Sequence, residues 1–237
     1  MTTTDQPDAA VRSQVDTGVS SGGARLAGIA GIVGAVLFVG SAIPIFDSPS
    51  LGDPAGDIRT WFADNEGYVS FFTWLMPLSV LLLVVFGAGL KGRLDRVDRT
   101  GVLARVSFAG IVAQAAAGLV SLGYWGVLAQ DSVRDDASDS VLTALNALDT
   151  VTFFVTVPWA IALFVGAASV VILMTRAMPV WLGWLGVVVA VASALSGLWI
   201  LSGDVDSPLA GLGFIGFLGS NVWVVALGVV MLRSADR

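Results

Sequence analysis

The chain of 237 residues has a hydrophobic fraction of 56%, a charged fraction of 13% and a mean hydropathy of +0.85. In soluble domains about a quarter of the residues are charged. The lower charged fraction here indicates an integral membrane protein with no room for a separate soluble domain. The absence of Cys and His excludes disulfides, thiolate nucleophiles and the commonest metal and haem ligands, and the net charge of −6 provides no basic surface for nucleic acid.

The N-terminal segment, residues 1–24, is polar and aperiodic, and we predict a disordered cytoplasmic tail. Six apolar segments follow within residues 25–233, and each is long enough to cross about 30 Å of hydrocarbon. The predicted fold class is therefore all-α, a bundle of six transmembrane helices. The predicted spans are approximately residues 26–46, 69–90, 102–128, 149–175, 180–201 and 208–232.

The distribution of basic residues predicts the orientation of the bundle. Of the 12 Lys and Arg residues, only Arg59 and Arg134 fall in loops that face outward if the N-terminus is cytoplasmic. The positive-inside rule then places both termini in the cytoplasm, and we expect a bacterial cytoplasmic (inner) membrane. The outer loops are acidic instead, which serves solvation and topology or, alternatively, collects cations near the outer face.

The first outer loop, residues 53–66, is predicted to contain a short amphipathic helix with Asp53 as its N-cap. Ile58, Trp61 and Phe62 fall at positions i, i+3 and i+4, so they share one apolar edge. Such a helix is suited to lying in the headgroup layer of the membrane. The alternative is that it covers the outer mouth of the bundle.

Aromatic and small residues recur at positions typical of membrane helices. Aromatic residues near the predicted span ends are expected to anchor the protein at the membrane interface; on the outer side they are Trp61, Tyr68, Tyr124, Trp125 and Trp199. Small residues every three or four positions predict close helix–helix faces. These faces are Ala27, Gly31 and Ala35; Ala109, Ala113, Ala117 and Ser121; Gly186, Ala190 and Ala194; and Gly213, Gly216, Gly219 and Ser220.

One stretch of the fourth span carries polar side chains on an otherwise apolar helix. At about 100° per residue, Asn146, Asp149, Thr152 and Thr156 fall within about a third of the helix circumference, and we call them the Asp149 stripe. An ionisable residue next to a membrane-length apolar segment is a functional hypothesis by default. Two interpretations remain open: Asp149 carries protons or binds a ligand, or it lies at headgroup depth in an ion pair with one of the two outer arginines.

Two amide side chains lie near the middle of other spans, Gln114 in the third and Asn221 in the sixth. Amides at that depth need hydrogen-bond partners, and we expect a bond between the two or to a Thr of the fourth span. The functional alternative places both amides at the inner end of an outward-facing cavity lined by the Asp149 stripe. Pro44, Pro77 and Pro158 each free a backbone carbonyl within a predicted span and can kink it.

Motifs for hydrolytic or metal chemistry, such as H-E-x-x-H and G-x-S-x-G, are absent from the sequence. We therefore predict a protein that is not an enzyme, with no catalytic residues, metal or cofactor.

The first hypothesis is an accessory or scaffold subunit that contacts the lipid bilayer and, through its small-residue faces, a protein partner or a second copy. The alternative is a small carrier or binding protein for a cationic or amphiphilic compound or a lipid. Its predicted ligand-binding residues are Asp149, Asn146, Thr152, Thr156, Gln114 and Asn221.

Two short motifs resemble features of bacterial six-span membrane protein families of unknown function, which are frequent in actinobacteria. The motifs are Arg25-Leu-Ala-Gly-Ile-Ala-Gly and the turn Arg176-Ala-Met-Pro-Val-Trp-Leu-Gly-Trp-Leu-Gly. The resemblance could cover residues 25–233. It implies a six-helix fold and a membrane location, and it implies no activity or site residue.

Overall fold

The computed structural model describes residues 21–41, 47–201 and 207–235, which are helical with short connections and contain no β-strand. The helices are α1 (Ser21–Ser41), α2 (Ala55–Asp64), α3 (Glu66–Leu94), α4 (Val102–Leu128), α5 (Asp131–Asp136), α6 (Asp139–Val151), α7 (Val157–Thr175), α8 (Val180–Ser196) and α9 (Pro208–Ala235). Helix α6 continues into α7 through a π-helical turn, Thr152–Thr156, and a 3-10 turn, Gly197–Leu201, follows α8.

Six helical stretches are long and apolar enough to cross a membrane, which confirms the predicted all-α, six-helix fold and agrees with a multi-pass membrane protein. Helices α6 and α7 with the π-helical turn form one of them, since the chain stays helical from Asp139 to Thr175. The six are Gly22–Ser41, Glu66–Leu94, Val102–Leu128, Asp139–Thr175, Val180–Leu201 and Gly211–Ser234.

The six spans form a closed ring in chain order. Each span packs against the next one along the chain, and α9 closes the ring by packing against α1. This arrangement leaves both described ends of the chain on one side, which we call the inner side. Helices α2 and α5 lie at the opposite end of the bundle, which we call the outer side.

The helix boundaries agree with the predicted spans except at a few ends. Helix α1 begins at Ser21, so the last four residues of the predicted tail are helical. The rest of that tail and the segment 42–46 with Pro44 lie outside the described residues. Helix α3 runs from Glu66 to Leu94, beyond both predicted ends of its span.

Helix α2 packs onto the bundle with its apolar edge, in line with the alternative that it covers the outer mouth, and its place in the headgroup layer stays a prediction. Ile58 and Phe62 are 1% and 2% exposed, and both belong to an apolar cluster with residues of α3, α4 and α6. Asp53 is not the N-cap of α2, since the Asp53 carboxylate accepts the N–H of Ser50 at 2.6 Å. The helix covers the outer end of the bundle because burying its apolar edge against protein removes that edge from water.

Small residues bring the helices together, as predicted, although one face was assigned wrongly in part. Of the predicted face on α4, Ala117 and Ser121 are buried, whereas Ala109 and Ala113 are exposed and Ser107 and Gly110 are buried instead. A Cβ on Gly110 would lie 2.4 Å from the backbone nitrogen of Phe164 in α7, so only glycine fits this crossing.

The inner half of the ring is filled by a continuous apolar core. Leu90, Phe86, Phe164, Val165 and Trp223 are each at most 2% exposed and belong to one cluster. The indole N–H of Trp223 donates to the Leu182 carbonyl at 2.9 Å, which satisfies the polar atom of this buried side chain. Any cavity of the bundle must therefore lie in its outer half.

Candidate functional site

A cavity of about 280 Å³ lies inside the ring in the outer half of the bundle. The loop residues 48–51 border it next to α2, and Val80, Val157 and Ile161 border it toward the inner core. All six spans contribute to its wall. The remaining lining residues are Phe38, Phe72, Met76, Gly118, Ser121, Leu122, Trp125, Asp149, Thr150, Phe153, Phe154, Trp199, Gly213, Phe214 and Phe217.

Asp149 is the ionisable residue among those that line this cavity. The Ser121 hydroxyl donates to Asp149 Oδ1, and the Trp125 indole N–H donates to Asp149 Oδ2 at 2.7 Å. Both donors are neutral. Within the described part of the chain no basic side chain pairs with this carboxylate, so its charge has no compensating partner in the protein.

The predicted pairing of Asp149 with an outer arginine is wrong because both arginines serve the outer surface. Arg134 is 7% exposed and forms ion pairs with Asp131, with Asp135 at 3.5 Å and with Glu66 at 3.7 Å. These contacts tie α5 to the start of α3.

Arg59 of α2 bonds the connection that leads into α6. Its guanidinium donates to the Ala137 carbonyl at 3.2 Å and pairs with Asp139 at 3.4 Å. The two outer arginines thus hold the segments that cover the outer end of the bundle.

A π-helical turn breaks the Asp149 stripe. Pro158 has no N–H to donate to the carbonyl of Phe154, four residues before it, and the N–H of Val157 donates to Thr152, five residues back. A π-helical turn holds one residue more than an α-helical turn, so the residues after it rotate relative to Asp149. Thr152 is half-buried and Thr156 is exposed, and neither lines the cavity, so their predicted place in its wall is wrong.

The Phe154 carbonyl freed by Pro158 finds its donor on another span. The indole N–H of Trp199, in the 3-10 turn after α8, donates to it at 3.1 Å. Trp199 is 2% exposed and lines the cavity, and Trp125 is 6% exposed. These two side chains are therefore part of the site, and the prediction that they anchor the protein at the membrane interface is wrong.

Asn146 lies one turn before Asp149 but serves the wall of the site rather than its interior. Its Nδ2 donates to the Ser50 carbonyl at 3.0 Å, which holds the loop residues 48–51 against α6. Its own carbonyl accepts the hydroxyl of Thr150, a cavity-lining residue that the stripe did not include. The sequence prediction placed Asn146 in the correct region with the wrong role.

The two mid-span amides do not meet. Asn221 Nδ2 donates to the Phe217 carbonyl of its own helix at 2.9 Å. Gln114 is half-buried on α4, and neither residue lines the cavity. The expected bond between them and their alternative place in an outward-facing cavity are both wrong, because an amide can bond the carbonyl four residues before it on its own helix.

Aromatic rings form most of the remaining wall. Phe38 lies 5.1 Å from Phe217, Phe153 lies 5.6 Å from Phe217, and Phe154 lies 6.3 Å from Phe214, all measured between ring centroids. The faces of aromatic rings carry negative electrostatic potential and attract cations. A carboxylate inside an aromatic wall is the chemistry that recognises an organic cation.

Sequence reasoning missed Ser121 and Trp125 as partners of Asp149, and it missed the Phe residues. Ser121 and Trp125 are four residues apart on α4, so they face the same way, which is a signal that the sequence contains. Nothing in the sequence relates them to α6, because the crossing of the two helices depends on the whole ring.

Comparisons of the chain with protein-family models, curated proteins and solved structures find no match. The resemblance to six-span families of actinobacteria therefore stays a prediction. Within the described residues, no group of three or more His, Cys, Asp or Glu side chains is placed to hold a metal ion.

Proposed function

We propose that this protein is a non-enzymatic binding protein for a small organic cation, located in a bacterial cytoplasmic membrane with both termini inside. The observation that carries the proposal is the Asp149 carboxylate in an aromatic cavity, bonded by two neutral donors and paired with no basic residue of the described chain. Asp149 would supply the counter-charge and the aromatic rings would surround the apolar part of the ligand.

The electrostatics favour a cation over an anion or a neutral compound. An anion would meet the Asp149 carboxylate with no basic side chain of the described lining to offset the repulsion. A neutral ligand would gain neither an ion pair with Asp149 nor the attraction of the ring faces for a cation, so it would bind more weakly. An organic ammonium group gains both the ion pair and the attraction of the ring faces.

The cavity volume limits the size of the ligand. Ligand cavities usually measure about 300–1,000 Å³, and this one measures about 280 Å³. The volume suits an ammonium group with one aryl ring or a few short alkyl groups. Acidic side chains around the outer end of the bundle, such as Asp57 and Asp64, would attract such cations to this side.

The hypothesis of an accessory or scaffold subunit stays a prediction that no structural observation favours. This hypothesis was based on the small-residue faces, but several of these faces pack against other helices of the same chain. Gly31 of α1 faces Phe86 of α3, and Gly216 of α9 faces Ser193 of α8, each too closely for a Cβ to fit.

A binding measurement with a matched pair of probes tests the proposal. Benzyltrimethylammonium and neopentylbenzene have the same shape, but only the first carries a charge. We expect the purified protein in detergent micelles to bind the cation and to bind the neutral compound at least about tenfold more weakly, which corresponds to about 1.4 kcal/mol. Isothermal titration calorimetry measures both affinities.

Asp149→Asn tests whether the carboxylate is responsible. We expect this variant to lose at least about tenfold in affinity for the cation while its affinity for neopentylbenzene stays the same, since only the charge is removed. Asp136→Asn is the matched control, because Asp136 is an exposed outer acid away from the cavity. Equal binding of the cation and the neutral compound, or no effect of Asp149→Asn, would contradict the proposal.

A further inference from the structure

We propose that the cavity exchanges one proton for one organic cation, with the proton held on Oδ1 of Asp149 when no cation is bound. This inference rests on the proposed function and adds the chemistry by which the site is regulated. It follows from the hydrogen bonds to the two carboxylate oxygens and from the charges around α6.

The two oxygens of Asp149 have different partners. Oδ2 faces the indole N–H of Trp125 at 2.7 Å, and an indole N–H only donates, so Oδ2 must remain an acceptor. Oδ1 faces the hydroxyl of Ser121, and a hydroxyl can either donate or accept. A proton on Oδ2 would face the Trp125 N–H, donor against donor. A proton on Oδ1 would face a hydroxyl that can accept it, so Oδ1 is the oxygen that can be protonated.

Ser121 can bond both forms of Asp149. With the carboxylate charged, the Ser121 hydroxyl donates to Oδ1, as observed. With Asp149 protonated, Oδ1 donates to the Ser121 oxygen, and the Ser121 hydroxyl hydrogen can turn to the carbonyl one helical turn before it. The site thus satisfies the hydrogen bonds of both protonated and charged Asp149. The proposed exchange of a proton for a cation requires both forms.

Among the described residues, Asp149 is the charged side chain that lines the cavity. Helix α6 packs mainly against α4, α2 and the π-helical turn, and the turn has no titratable residue. None of the charged or titratable residues on α4 and α2 lines the cavity. They are Arg105 and Tyr124 on α4, and Asp57, Arg59 and Asp64 on α2.

The exchange balances in atoms and charge. The protonated acid and the free cation give the carboxylate–cation pair and one free proton, which leaves toward water. The net charge within the cavity is zero before and after, so neither state leaves an uncompensated charge in an apolar environment.

Proton release and pH dependence test the exchange. Benzyltrimethylammonium is titrated into the full-length protein in buffers of different ionisation enthalpy, from about pH 8 to about pH 5. We expect affinity to fall roughly tenfold per pH unit in the acid range, with up to one proton released per cation bound. Asp149→Asn should abolish both effects, and Asp136→Asn should leave both unchanged.

Infrared difference spectroscopy locates the proton. Adding the cation at acid pH should remove the carbonyl band of a protonated carboxylic acid, and Asp149→Asn should lack this change. Trp125→Phe should move that band to higher frequency, because the carbonyl oxygen Oδ2 loses its donor. An unmoved band in Trp125→Phe would overturn the assignment of the proton to Oδ1.

The two proposals fail in different ways. Cation binding that does not change with pH and releases no proton would overturn the exchange while the proposed function stands. If neither the wild-type protein nor Asp136→Asn binds the cation at any pH, the proposed function itself is wrong, and the exchange with it.

Discussion

Trp199 and Phe154 show how one side chain can replace a backbone hydrogen bond on another helix. Pro158 cannot donate to the Phe154 carbonyl, and the Trp199 indole N–H donates to it instead. A buried carbonyl without a donor costs about 1–3 kcal/mol. The proline of α7 and the tryptophan after α8 are thus a coupled pair, although they are far apart in the sequence.

We expect Trp199→Phe to lower the free energy of unfolding by about 1–3 kcal/mol, because the Phe154 carbonyl then has no donor. Pro158→Ala restores an N–H at position 158, so the double variant should lose less stability than the sum of the two single variants. Thermal unfolding in detergent measures all three. Trp184→Phe is the control, since Trp184 is 61% exposed on the outside of the bundle. Additive effects would contradict the coupling.

Asp98 organises the connection from α3 to α4 on the inner side. Its Oδ2 accepts the N–H of Ala104 at 3.1 Å, and its Oδ1 accepts the N–H of Thr100 at 3.2 Å. The bond from Ala104 is the main cause that lowers the pKa of Asp98, with a smaller contribution from Thr100. The bond from Ala104 satisfies an N–H group in the first turn of α4 that has no partner within the helix.

A lowered pKa makes the contribution of Asp98 to stability depend on pH. The contribution is fully present above the pKa of the unfolded chain and is lost as pH falls through the lower pKa of the folded protein. We expect Asp98→Ala to lower the melting temperature at about pH 7 and to have little effect at about pH 2. Thermal melts across this range provide the check. A difference that stays constant with pH would show that the charge of Asp98 is not involved.

At the scale of elements, the crossing of α4 and α7 places Ser121 and Trp125 beside the cavity. Gly110 lies where the two backbones come closest, and the Ser107 hydroxyl donates to the Phe164 carbonyl at 3.0 Å next to it. The same helix faces the cavity about two to four turns further along, from Gly118 to Trp125. Any change that separates α4 from α7 should therefore also move the donors of Asp149.

We expect Gly110→Ala to destabilise the protein by about 1–3 kcal/mol or more, since the added Cβ meets backbone atoms that cannot move aside. Gly123→Ala on the same helix is the matched control, because a Cβ there meets no atom within 4 Å. Thermal unfolding of both variants gives the comparison. Equal stability of the two variants would mean that the crossing is looser than described.

The face of the fourth span that lines the cavity is offset from the Asp149 stripe. Phe153 and Phe154 lie in the wall, whereas Thr152 and Thr156 lie outside it. At about 100° per residue, Phe153 and Phe154 lie on one side of Asp149, and Thr152 and Thr156 lie on the other. The stripe was therefore correct at Asp149 and wrong at Thr152 and Thr156, because the sequence does not show on which side of Asp149 the cavity lies.

At the scale of the whole molecule, the ring brings together residues that are distant in the chain. Asn146 bonds Ser50, and the wall of the cavity joins Phe38 near the start of the chain to Phe217 near its end. The inner half is filled with apolar side chains, so the cavity lies on one side only. This asymmetry is the structural basis for placing ligand binding at the outer face.

The orientation of the molecule can be tested directly, because the chain contains no Cys. A single cysteine at Ser132, in the exposed part of α5, should react with a membrane-impermeant maleimide in intact cells. A single cysteine at Ser234, exposed near the end of α9, should react only after permeabilisation. The reverse pattern would place the cavity on the cytoplasmic side.

The sequence by itself determined the class of protein and the number of spans, and it identified Asp149 as a candidate site residue. Span length follows from bilayer thickness, and an acid next to apolar residues is evident from local composition. The tertiary structure decided which side chains surround Asp149, that α2 covers the bundle, and that Trp125 and Trp199 face inward. These features depend on helix crossings and on one irregular turn, and both arise from contacts between distant residues that local periodicity does not encode.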